Sequence, residues 1–298
     1  MAAKKAAPRK SKPKTKSRAK KPDPLQVTME TVDGRTLRVA RWRCRPGENP
    51  EGHLPILFFN GIGANMEAVT PFAEALSERP FIMFDMPGTG GSPDPVIPYN
   101  AIIMARITDV LLDRFGVEKA DVVGVSWGGA MAQHFALQHP GRVNKLILIA
   151  TTAGMFMVPG NPKALSKMAD PRRYIDPNYM EKHFETLYGG SHKGKDGHVS
   201  RITPPSKRGY FYQLLAMLGW TSAPFLPFMK KPTLIMMGDD DQIVVPANGK
   251  ILSSLIPDSE LVMIHGGGHL FMLSHVEETL SIIREFLDRD ESEDKKAA

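Results

Sequence analysis

The feature that most constrains this chain is the six-residue sequence Gly-Val-Ser-Trp-Gly-Gly at positions 124–129. It follows an apolar run at 120–123 and precedes a stretch with helical spacing at 130–137. A G-x-S-x-G sequence between a strand and a helix is typical of a tight turn that exposes the serine hydroxyl above a sheet. Gly124 and Gly128 flank the serine because a Cβ at either position would collide where strand and helix approach closely. The motif therefore predicts a strand, turn and helix with Ser126 as a nucleophile.

Short apolar runs alternate with stretches of helical spacing along most of the chain, which indicates an α/β protein. A hairpin is expected first, at 26–43, because two alternating runs flank the turn signal Asp33-Gly34. Buried strands are then expected at 55–59, 81–84, 120–123, 145–150, 232–237 and 261–264. Helices are expected at about 67–77, 99–115, 130–139, 247–256 and 275–287. Apolar strands separated by helices are typical of a mostly parallel sheet covered on both faces.

The alternation stops near Thr151 and resumes at Pro232. We therefore expect an α/β core at 25–153 and 231–290, with a helical cap at 154–230 inserted after the sixth strand. Residues 155–230 contain 11 of the 23 aromatic residues. An apolar acyl channel, or a face that docks on a hydrophobic surface, would use this excess. The side chains expected to bind substrate are Asn60, Trp220, Phe225 and Phe271.

Most of the basic character of the chain lies in its first 24 residues. They contain ten Lys and Arg residues and one acidic residue, so the net charge of +6 leaves −3 for the remainder. A segment of this composition cannot bury enough apolar surface to offset its chain entropy, and we expect residues 1–24 to be disordered. Residues 1–22 are either a solubilising arm or a contact to DNA or an anionic surface. The charged residues 291–298 are expected to form a C-terminal tail.

Several classes of protein are disfavoured by the composition. No run of 18 apolar residues indicates a membrane span, and the N-terminus lacks the apolar core of a secretory signal. The single cysteine, Cys44, allows no intrachain disulfide and fits a reducing compartment. Together these features predict a cytoplasmic protein. No His, Cys or Asp group has metal-ligand spacing, and the glycine-rich loop at 87–92 lacks the pattern of a phosphate site. No cofactor and no metal are expected.

A serine nucleophile needs a base, and the base needs an acid that orients it. In proteins with this strand, turn and helix motif, which is called a nucleophile elbow, the acid and the histidine follow the serine in that order. The acid is expected in the loop after the strand at 232–237, where Asp241 is favoured and Asp239 is the alternative. The base is expected after the final strand, where His269 follows three glycines and His265 is the main competitor.

The tetrahedral intermediate of acyl transfer needs two N–H donors aimed at its oxygen. One is expected from Trp127, the residue after the serine. The other is expected from Ile62, in the loop after the strand at 55–59. That loop has Asn60-Gly61 where many hydrolases have His-Gly, but a backbone donor is unaffected by this difference.

At this point the chain resembles a known family, the intracellular medium-chain-length polyhydroxyalkanoate depolymerases. The resemblance runs from about residue 25 to 288 and includes the cap. The matching sequences are FFNGIGAN at 58–65, GVSWGG at 124–129, MVPGNPK at 157–163, PRRY at 171–174, LGWTS at 218–222, GDDD at 238–241 and GHLF at 268–271. Those in the cap are the more specific, because lipases and esterases share the elbow and triad motifs.

The resemblance implies the α/β-hydrolase fold, with Ser126, Asp241 and His269 as the triad. It also implies a polyester of 3-hydroxy fatty acids as substrate and a location at the surface of cytoplasmic storage granules. Two alternatives stay open. One is a soluble medium-chain carboxylesterase or acyltransferase on the same scaffold, and the other is a granule-coat or nucleoid-tethering protein in which the basic tail matters most.

Overall fold

The fold is taken from a computed structural model that describes residues 25–168, 170, 172, 177–190 and 201–289. The predicted disordered tail at 1–24 and the predicted C-terminal tail at 291–298 lie outside the described residues. The remainder contains the predicted α/β core and most of the predicted cap.

One eight-stranded sheet forms the centre of the molecule. In space its strands run in the order β1-β2-β4-β3-β5-β6-β7-β8, and only the pairs β1/β2 and β2/β4 are antiparallel. The mostly parallel sheet predicted from the apolar runs is therefore confirmed. The strands are β1 (Leu25–Val32), β2 (Arg35–Trp42), β3 (Ile56–Phe59), β4 (Phe81–Phe84), β5 (Ala120–Val125), β6 (Val143–Ile149), β7 (Thr233–Gly238) and β8 (Ser259–Ile264).

The N-terminal hairpin is confirmed, and its turn has the backbone that the sequence Asp33-Gly34 favours. Both residues have positive φ angles, 49° and 73°. Two such residues form a turn whose twist matches that of the flanking strands. Pairing runs from Leu25 opposite Trp42 to Val32 opposite Arg35.

Helices cover both faces of the sheet, and two apolar clusters form the core on its two sides. Alternate residues of a central strand enter opposite clusters, as Leu57 and Phe58 of β3 do. Across the described part of the chain, no helix combines the length and the apolar character needed to cross a bilayer. The helices are α1 (Thr70–Ala75), α2 (Ala101–Arg114), α3 (Trp127–Gln138), α4 (Pro162–Met168), α5 (Pro177–Lys182), α6 (Phe184–Tyr188), α7 (Lys207–Ala216), α8 (Ala247–Leu255), α9 (Phe271–Ser274) and α10 (Val276–Asp288).

One predicted helix is divided in the structure, and another is preceded by an additional short helix. The helix expected at 67–77 is a short 3-10 turn, Met66–Ala68, followed by α1. Pro71 explains the break, because it has no N–H to donate to the Glu67 carbonyl and so interrupts the hydrogen bonding of a continuous helix. The helix expected at 275–287 is α10, and the additional short helix α9 precedes it.

Helices α4 to α7 all lie between β6 and β7, and we call residues 154–230 the cap. An isolated antiparallel bridge between Gly154 and Thr221 joins its two ends. A Cβ on Gly154 would lie 2.4 Å from the carbonyl oxygen of Trp220, so only glycine permits this approach.

A hydrogen bond between aromatic side chains fastens the cap to the core helix α3. Trp220 Nε1 donates to His134 Nδ1 at 3.2 Å, and His134 Nε2 lies 3.1 Å from Oε1 of Gln138. Burial lowers the pKa of His134, and the hydrogen bond with Gln138 offsets part of this effect. His134 must be unprotonated at Nδ1 to accept the indole proton, so a neutral imidazole suits this contact.

This contact predicts a pH-dependent contribution to stability. The pKa of His134 is lower in the folded state than its ordinary value, so between the two values the unfolded chain binds more protons. The contribution is complete above the ordinary pKa, about 6.5, and declines as the pH falls below it. Replacing His134 with Gln keeps an acceptor for Trp220 and removes the titration. We expect the free energy of unfolding in urea to fall less between pH 8 and pH 5.5 for His134→Gln than for the wild type. An equal fall in both proteins would contradict this assignment.

Candidate active site

Ser126 lies in a strained turn between β5 and α3. Its φ and ψ angles are 54° and −120°, a backbone conformation that residues with a Cβ rarely adopt. The turn is held on both sides, because the Ser126 N–H donates to the Ile149 carbonyl at 2.9 Å and the Ser126 carbonyl accepts from Thr151 Oγ1 at 2.7 Å. The neighbouring strand β6 and the residues after it therefore fix the serine above the sheet.

The glycines that flank Ser126 are required by close approach. A Cβ on Gly124 would lie 2.4 Å from the carbonyl oxygen of Gly128, and a Cβ on Gly128 would lie 2.1 Å from the carbonyl oxygen of Phe59. Both distances are well below van der Waals contact with backbone atoms that cannot move aside. The steric reason inferred from the sequence is the one that the structure shows.

The structure brings Ser126, His269 and Asp241 together. His269 Nε2 lies 3.0 Å from Ser126 Oγ, and His269 Nδ1 lies 2.7 Å from Asp241 Oδ2. Both the imidazole and the carboxylate are buried. A carboxylate can only accept, so the imidazole carries its proton on Nδ1 and directs the lone pair of Nε2 towards the serine hydroxyl. This is the arrangement that a general base requires.

The Asp241 carboxylate is itself held in place. Its Oδ1 accepts hydrogen bonds from the N–H groups of Ile243 and Val244 at 2.8 and 2.9 Å. Because these donors occupy one oxygen, the other is left to orient His269.

The alternatives considered from the sequence form a separate pair at the surface. Asp239 Oδ2 lies 3.0 Å from His265 Nδ1, and the His265 side chain is 91% exposed, whereas that of His269 is 6% exposed. The structure therefore does not bring Asp239 or His265 to the serine.

Two backbone N–H groups are available to stabilise an oxyanion. Trp127 is the first residue of α3, so its N–H has no acceptor within the helix. The Ile62 N–H, in the loop after β3, has no acceptor among the hydrogen bonds of the residues that the structure describes. Both residues adjoin the serine: Ile62 lines the same cavity as Ser126, and Trp127 follows it in the chain.

The loop that carries His269 packs against the end of cap helix α6. The His269 N–H donates to the Tyr188 carbonyl at 2.6 Å, and the Tyr188 ring is nearly parallel to the imidazole, 6.3 Å between centroids. A Cβ on Gly268 would lie 2.2 Å from the Tyr188 carbonyl oxygen. The cap thus orients the histidine, a role of Tyr188 that sequence reasoning missed. Two glycines, Gly189 and Gly190, follow Tyr188 in the sequence. Such a pair indicates a close backbone approach and could have identified Tyr188 as a contact residue.

An apolar cavity of about 100 Å³ lies between the core and the cap and opens onto Ser126 and His269. Burying a medium-length alkyl chain in such a cavity is favourable, by roughly 0.8 kcal/mol for each CH₂ group. Its apolar lining comprises Ile62, Ala64, Ala68, Val69, Val125, Met168, Ile202, Pro204, Pro205, Ile243, Leu270, Met272 and Leu273.

Of the four predicted substrate-binding side chains, only Asn60 lines this cavity. Its amide shapes the loop, since Oδ1 accepts from the Gly61 N–H at 2.9 Å and Nδ2 donates to the Asn65 carbonyl at 3.0 Å. The other three, Trp220, Phe225 and Phe271, do not line it. Phe271 is fully buried in the core, whereas Leu270 and Met272 on either side of it line the cavity.

Trp220 and Phe225 lie away from the cavity as well. Trp220 packs on α3 through its hydrogen bond with His134, and Phe225 is 57% exposed at the surface of the cap. These two aromatic residues thus hold a packing position and a surface position, whereas Tyr188 of the cap lines the cavity.

The glycine-rich loop after β4 is organised around the buried Asp85. Its carboxylate accepts from the Gly91 N–H at 2.9 Å, from the Met66 N–H at 2.7 Å and from Arg38 Nε at 2.7 Å. Burial raises the pKa of Asp85, and these three donors offset part of the shift. The loop therefore wraps a carboxylate of the protein itself, in keeping with a structural role.

In residues 25–168, 170, 172, 177–190 and 201–289, no group of three or more His, Cys, Asp or Glu side chains could hold a metal ion.

Comparisons with known proteins place this geometry among hydrolases. A family model described as the alpha/beta hydrolase fold matches residues 55–188 and 198–276. A poly(3-hydroxyalkanoate) depolymerase from Ectopseudomonas oleovorans is 42% identical over 275 residues, which cover 90% of this chain and 95% of the relative. This relative confirms the resemblance found in the sequence.

More distant proteins share the fold. Lipase 3 from a Moraxella species is 26% identical over 254 residues, covering 78% of this chain and 77% of the lipase. The solved structure of an esterase from Exiguobacterium antarcticum superimposes with a TM-score of 0.75 at 21% identity, covering 88% of this chain and 98% of the esterase.

The two neighbouring Asp–His pairs provide a matched test of the site. An Asn at 241 would donate its amide proton to His269 Nδ1 and so place the imidazole proton on Nε2, where the base must accept. We expect Asp241→Asn to lower kcat on p-nitrophenyl octanoate by about 10⁴-fold. Asp239→Asn makes the same chemical change to the exposed pair and should leave kcat within about twofold. Similar losses in both variants would contradict the assignment of Asp241.

Proposed function

This chain belongs to the α/β-hydrolase family, and we propose that it is a serine hydrolase that cleaves the ester bonds of intracellular poly(3-hydroxyalkanoate) through an acyl-enzyme on Ser126. The observation that carries the chemistry is the buried Asp241–His269 pair, with Nε2 3.0 Å from Ser126 Oγ at the mouth of an apolar cavity. The substrate class comes from the depolymerase that is similar over nearly the whole chain.

In the first half of the reaction, Ser126 Oγ attacks the ester carbonyl carbon while its proton passes to His269 Nε2. The imidazolium that forms is stabilised by Asp241. The former carbonyl oxygen becomes an oxyanion and accepts hydrogen bonds from the N–H groups of Ile62 and Trp127. As the tetrahedral intermediate collapses, the C–O bond to the alcohol part breaks, and His269 returns its proton to that oxygen.

In the second half, water replaces the alcohol. His269 Nε2 removes one proton from the water molecule, and at the same time the water oxygen attacks the acyl carbon of the Ser126 ester. Collapse of the second intermediate breaks the bond to Ser126 Oγ, which regains a proton from His269. The products are a free carboxylic acid and the regenerated enzyme. With a polyester substrate, the acids that are released are 3-hydroxy fatty acids or oligomers of them.

The cap also offers a surface for an insoluble polymer. Eight of the fourteen large apolar side chains exposed in the described residues belong to the cap, so its surface is more apolar than that of the core. Phe211, Leu214 and Leu218 follow one another at helical spacing on and after α7. We call the following set the apolar cap face: Met155, Phe156, Phe211, Leu214, Leu218, Phe225 and Phe228.

The segments that carry this face are joined to one another. The Met155 N–H donates to the Trp220 carbonyl at 2.9 Å, and the Ser222 N–H donates to the Ala153 carbonyl at 3.0 Å. These bonds hold the two ends of the cap side by side. The apolar cap face is in our proposal the part that docks on the polyester granule, and a cytoplasmic location at that granule follows from the proposal.

A contact of residues 1–22 with DNA or an anionic surface remains a prediction from their charge. It lies outside the described residues, and the proposed hydrolysis does not depend on it.

The proposed nucleophile is tested by Ser126→Ala. Removing Oγ removes the covalent step, so the release of 3-hydroxy acids from isolated granules should fall by at least about 10⁴-fold. Sedimentation with the granules should be unchanged, because the docking face and the cavity are intact. Hydrolysis at a rate near that of the wild type would rule out Ser126 as the nucleophile.

The substrate is tested by removing part of the apolar cap face. The triple variant Phe211→Ser, Leu218→Ser and Phe228→Ser removes three exposed side chains, each worth roughly 1.5–3 kcal/mol when fully buried. We expect granule hydrolysis to fall tenfold or more at limiting granule concentration, while kcat/KM on p-nitrophenyl octanoate stays within about twofold.

The matched control changes three exposed apolar side chains of the core, in Val27→Ser, Met29→Ser and Ile102→Ser, and should retain granule hydrolysis. If the cap variant also retained it, a soluble medium-chain esterase would be the better description.

A further inference from the structure

Gln213 is a polar residue of cap helix α7 that is completely buried, with 0% of its surface exposed. A buried amide is costly unless its polar atoms are hydrogen-bonded. In Gln213 the two side-chain atoms and the main-chain carbonyl are each bonded to a different segment of the core. Two of these segments supply the oxyanion donors.

The side-chain oxygen of Gln213 holds the loop that carries Ile62. Oε1 accepts from the Gly63 N–H at 2.8 Å. Gly63 follows Ile62 directly, so this bond fixes the peptide plane next to the one that bears the Ile62 N–H. Gly63 has a φ of +70°, which glycine adopts without strain, and it packs against Pro205 of the cap.

The main-chain carbonyl of Gln213 holds the other donor residue. It accepts from Trp127 Nε1 at 3.0 Å. Trp127 is the residue whose backbone N–H is the second oxyanion donor, and its indole lies partly buried against α7. One cap residue is therefore bonded to Trp127 and to Gly63, the residue that follows Ile62.

The third bond joins the amide nitrogen to the core. Gln213 Nε2 donates to Thr89 Oγ1 at 2.6 Å, in the loop that wraps Asp85. The Gly63 N–H can only donate, so it fixes the amide oxygen on its own side and leaves the nitrogen facing Thr89. The start of α7 rests on the same loop, where the Ser206 N–H donates to the Gly88 carbonyl at 2.8 Å and a Cβ on Gly209 would lie 2.6 Å from Gly88 Cα. The helix thus seats Gln213 in a fixed position.

We propose that Gln213 is a positioning residue that sets the separation of the two oxyanion donors, so that the hole is complete only while α7 is seated on the core. This inference rests on the proposed function, because it concerns the same acyl-transfer site. Donors that are displaced by a fraction of an ångström stabilise the tetrahedral intermediate less, although they still allow the substrate to bind.

The test compares two variants that lose the same hydrogen bond to Thr89. Gln213→Met keeps the volume of the side chain but removes both of its bonds, including the acceptor for the Gly63 N–H. Thr89→Val is nearly isosteric and removes only the bond between Thr89 and the amide. Each variant is assayed on p-nitrophenyl octanoate, for inhibition by 1-octaneboronic acid and for inhibition by 1-octanol. The boronic acid forms a tetrahedral adduct with Ser126, whereas octanol only occupies the apolar cavity.

For Gln213→Met we expect kcat/KM to fall by about 10- to 100-fold, and boronic acid affinity to fall by the same factor. Inhibition by octanol should stay within about threefold of the wild type. Thr89→Val should remain within about threefold of the wild type in all three measurements. The midpoint of its thermal unfolding should be lower than that of the wild type.

Three results would overturn the proposal. Equal losses in both variants would assign the effect to stability, and an unchanged boronic acid affinity in Gln213→Met would separate the residue from the oxyanion hole. A wild-type protein without esterase activity would overturn the proposed function and this inference together. An active wild type that is insensitive to Gln213→Met would overturn this inference alone.

Discussion

The close contact between β5 and α3 at Ser126 is the constraint on which the rest of the site depends. Gly128 of α3 approaches the Phe59 carbonyl so closely that no side chain fits, and Gly124 of β5 approaches Gly128 in the same way. The serine between them therefore takes a positive φ angle. A strained backbone of this kind persists only where its surroundings fix it, and here β3, β5 and β6 do so together. The position of Ser126 then determines where the base and the oxyanion donors must lie.

The topology of the sheet supplies those partners. Ser126, Asp241, His269 and the loop of Ile62 each follow a different parallel strand, namely β5, β7, β8 and β3. The carboxyl ends of parallel strands meet at one edge, so side chains far apart in sequence converge there. This is why the sequence alone was sufficient to choose Asp241 and His269 as neighbours of Ser126. The choice between Asp241 and Asp239 also depended on which residue enters the turn towards Val244, and the structure places the buried carboxylate there.

The cap could not be predicted to the same depth, because its residues follow no strand that fixes their direction. Outside the cap, in the segment after β8, neighbouring residues also differ in position: Leu270 and Met272 line the cavity, whereas Phe271 between them is fully buried in the core. Trp220 was expected to bind substrate, but its indole N–H needs an acceptor when buried, and His134 supplies one outside the cavity. The periodicity of a sequence carries neither kind of information.

The residues that sequence reasoning missed, Tyr188 and Gln213, belong to the cap, and they contact opposite sides of the site. Tyr188 accepts from the backbone of His269, and Gln213 accepts from the backbone of Gly63 and the indole of Trp127. The cap is therefore more than a cover for the cavity, because the loop of the base and the oxyanion loop are both hydrogen-bonded to it. A change in the cap that alters the shape of the cavity would also move these two loops. Under the proposed function, these few hydrogen bonds are the contacts through which the shape of the cavity and the geometry of catalysis would be coupled.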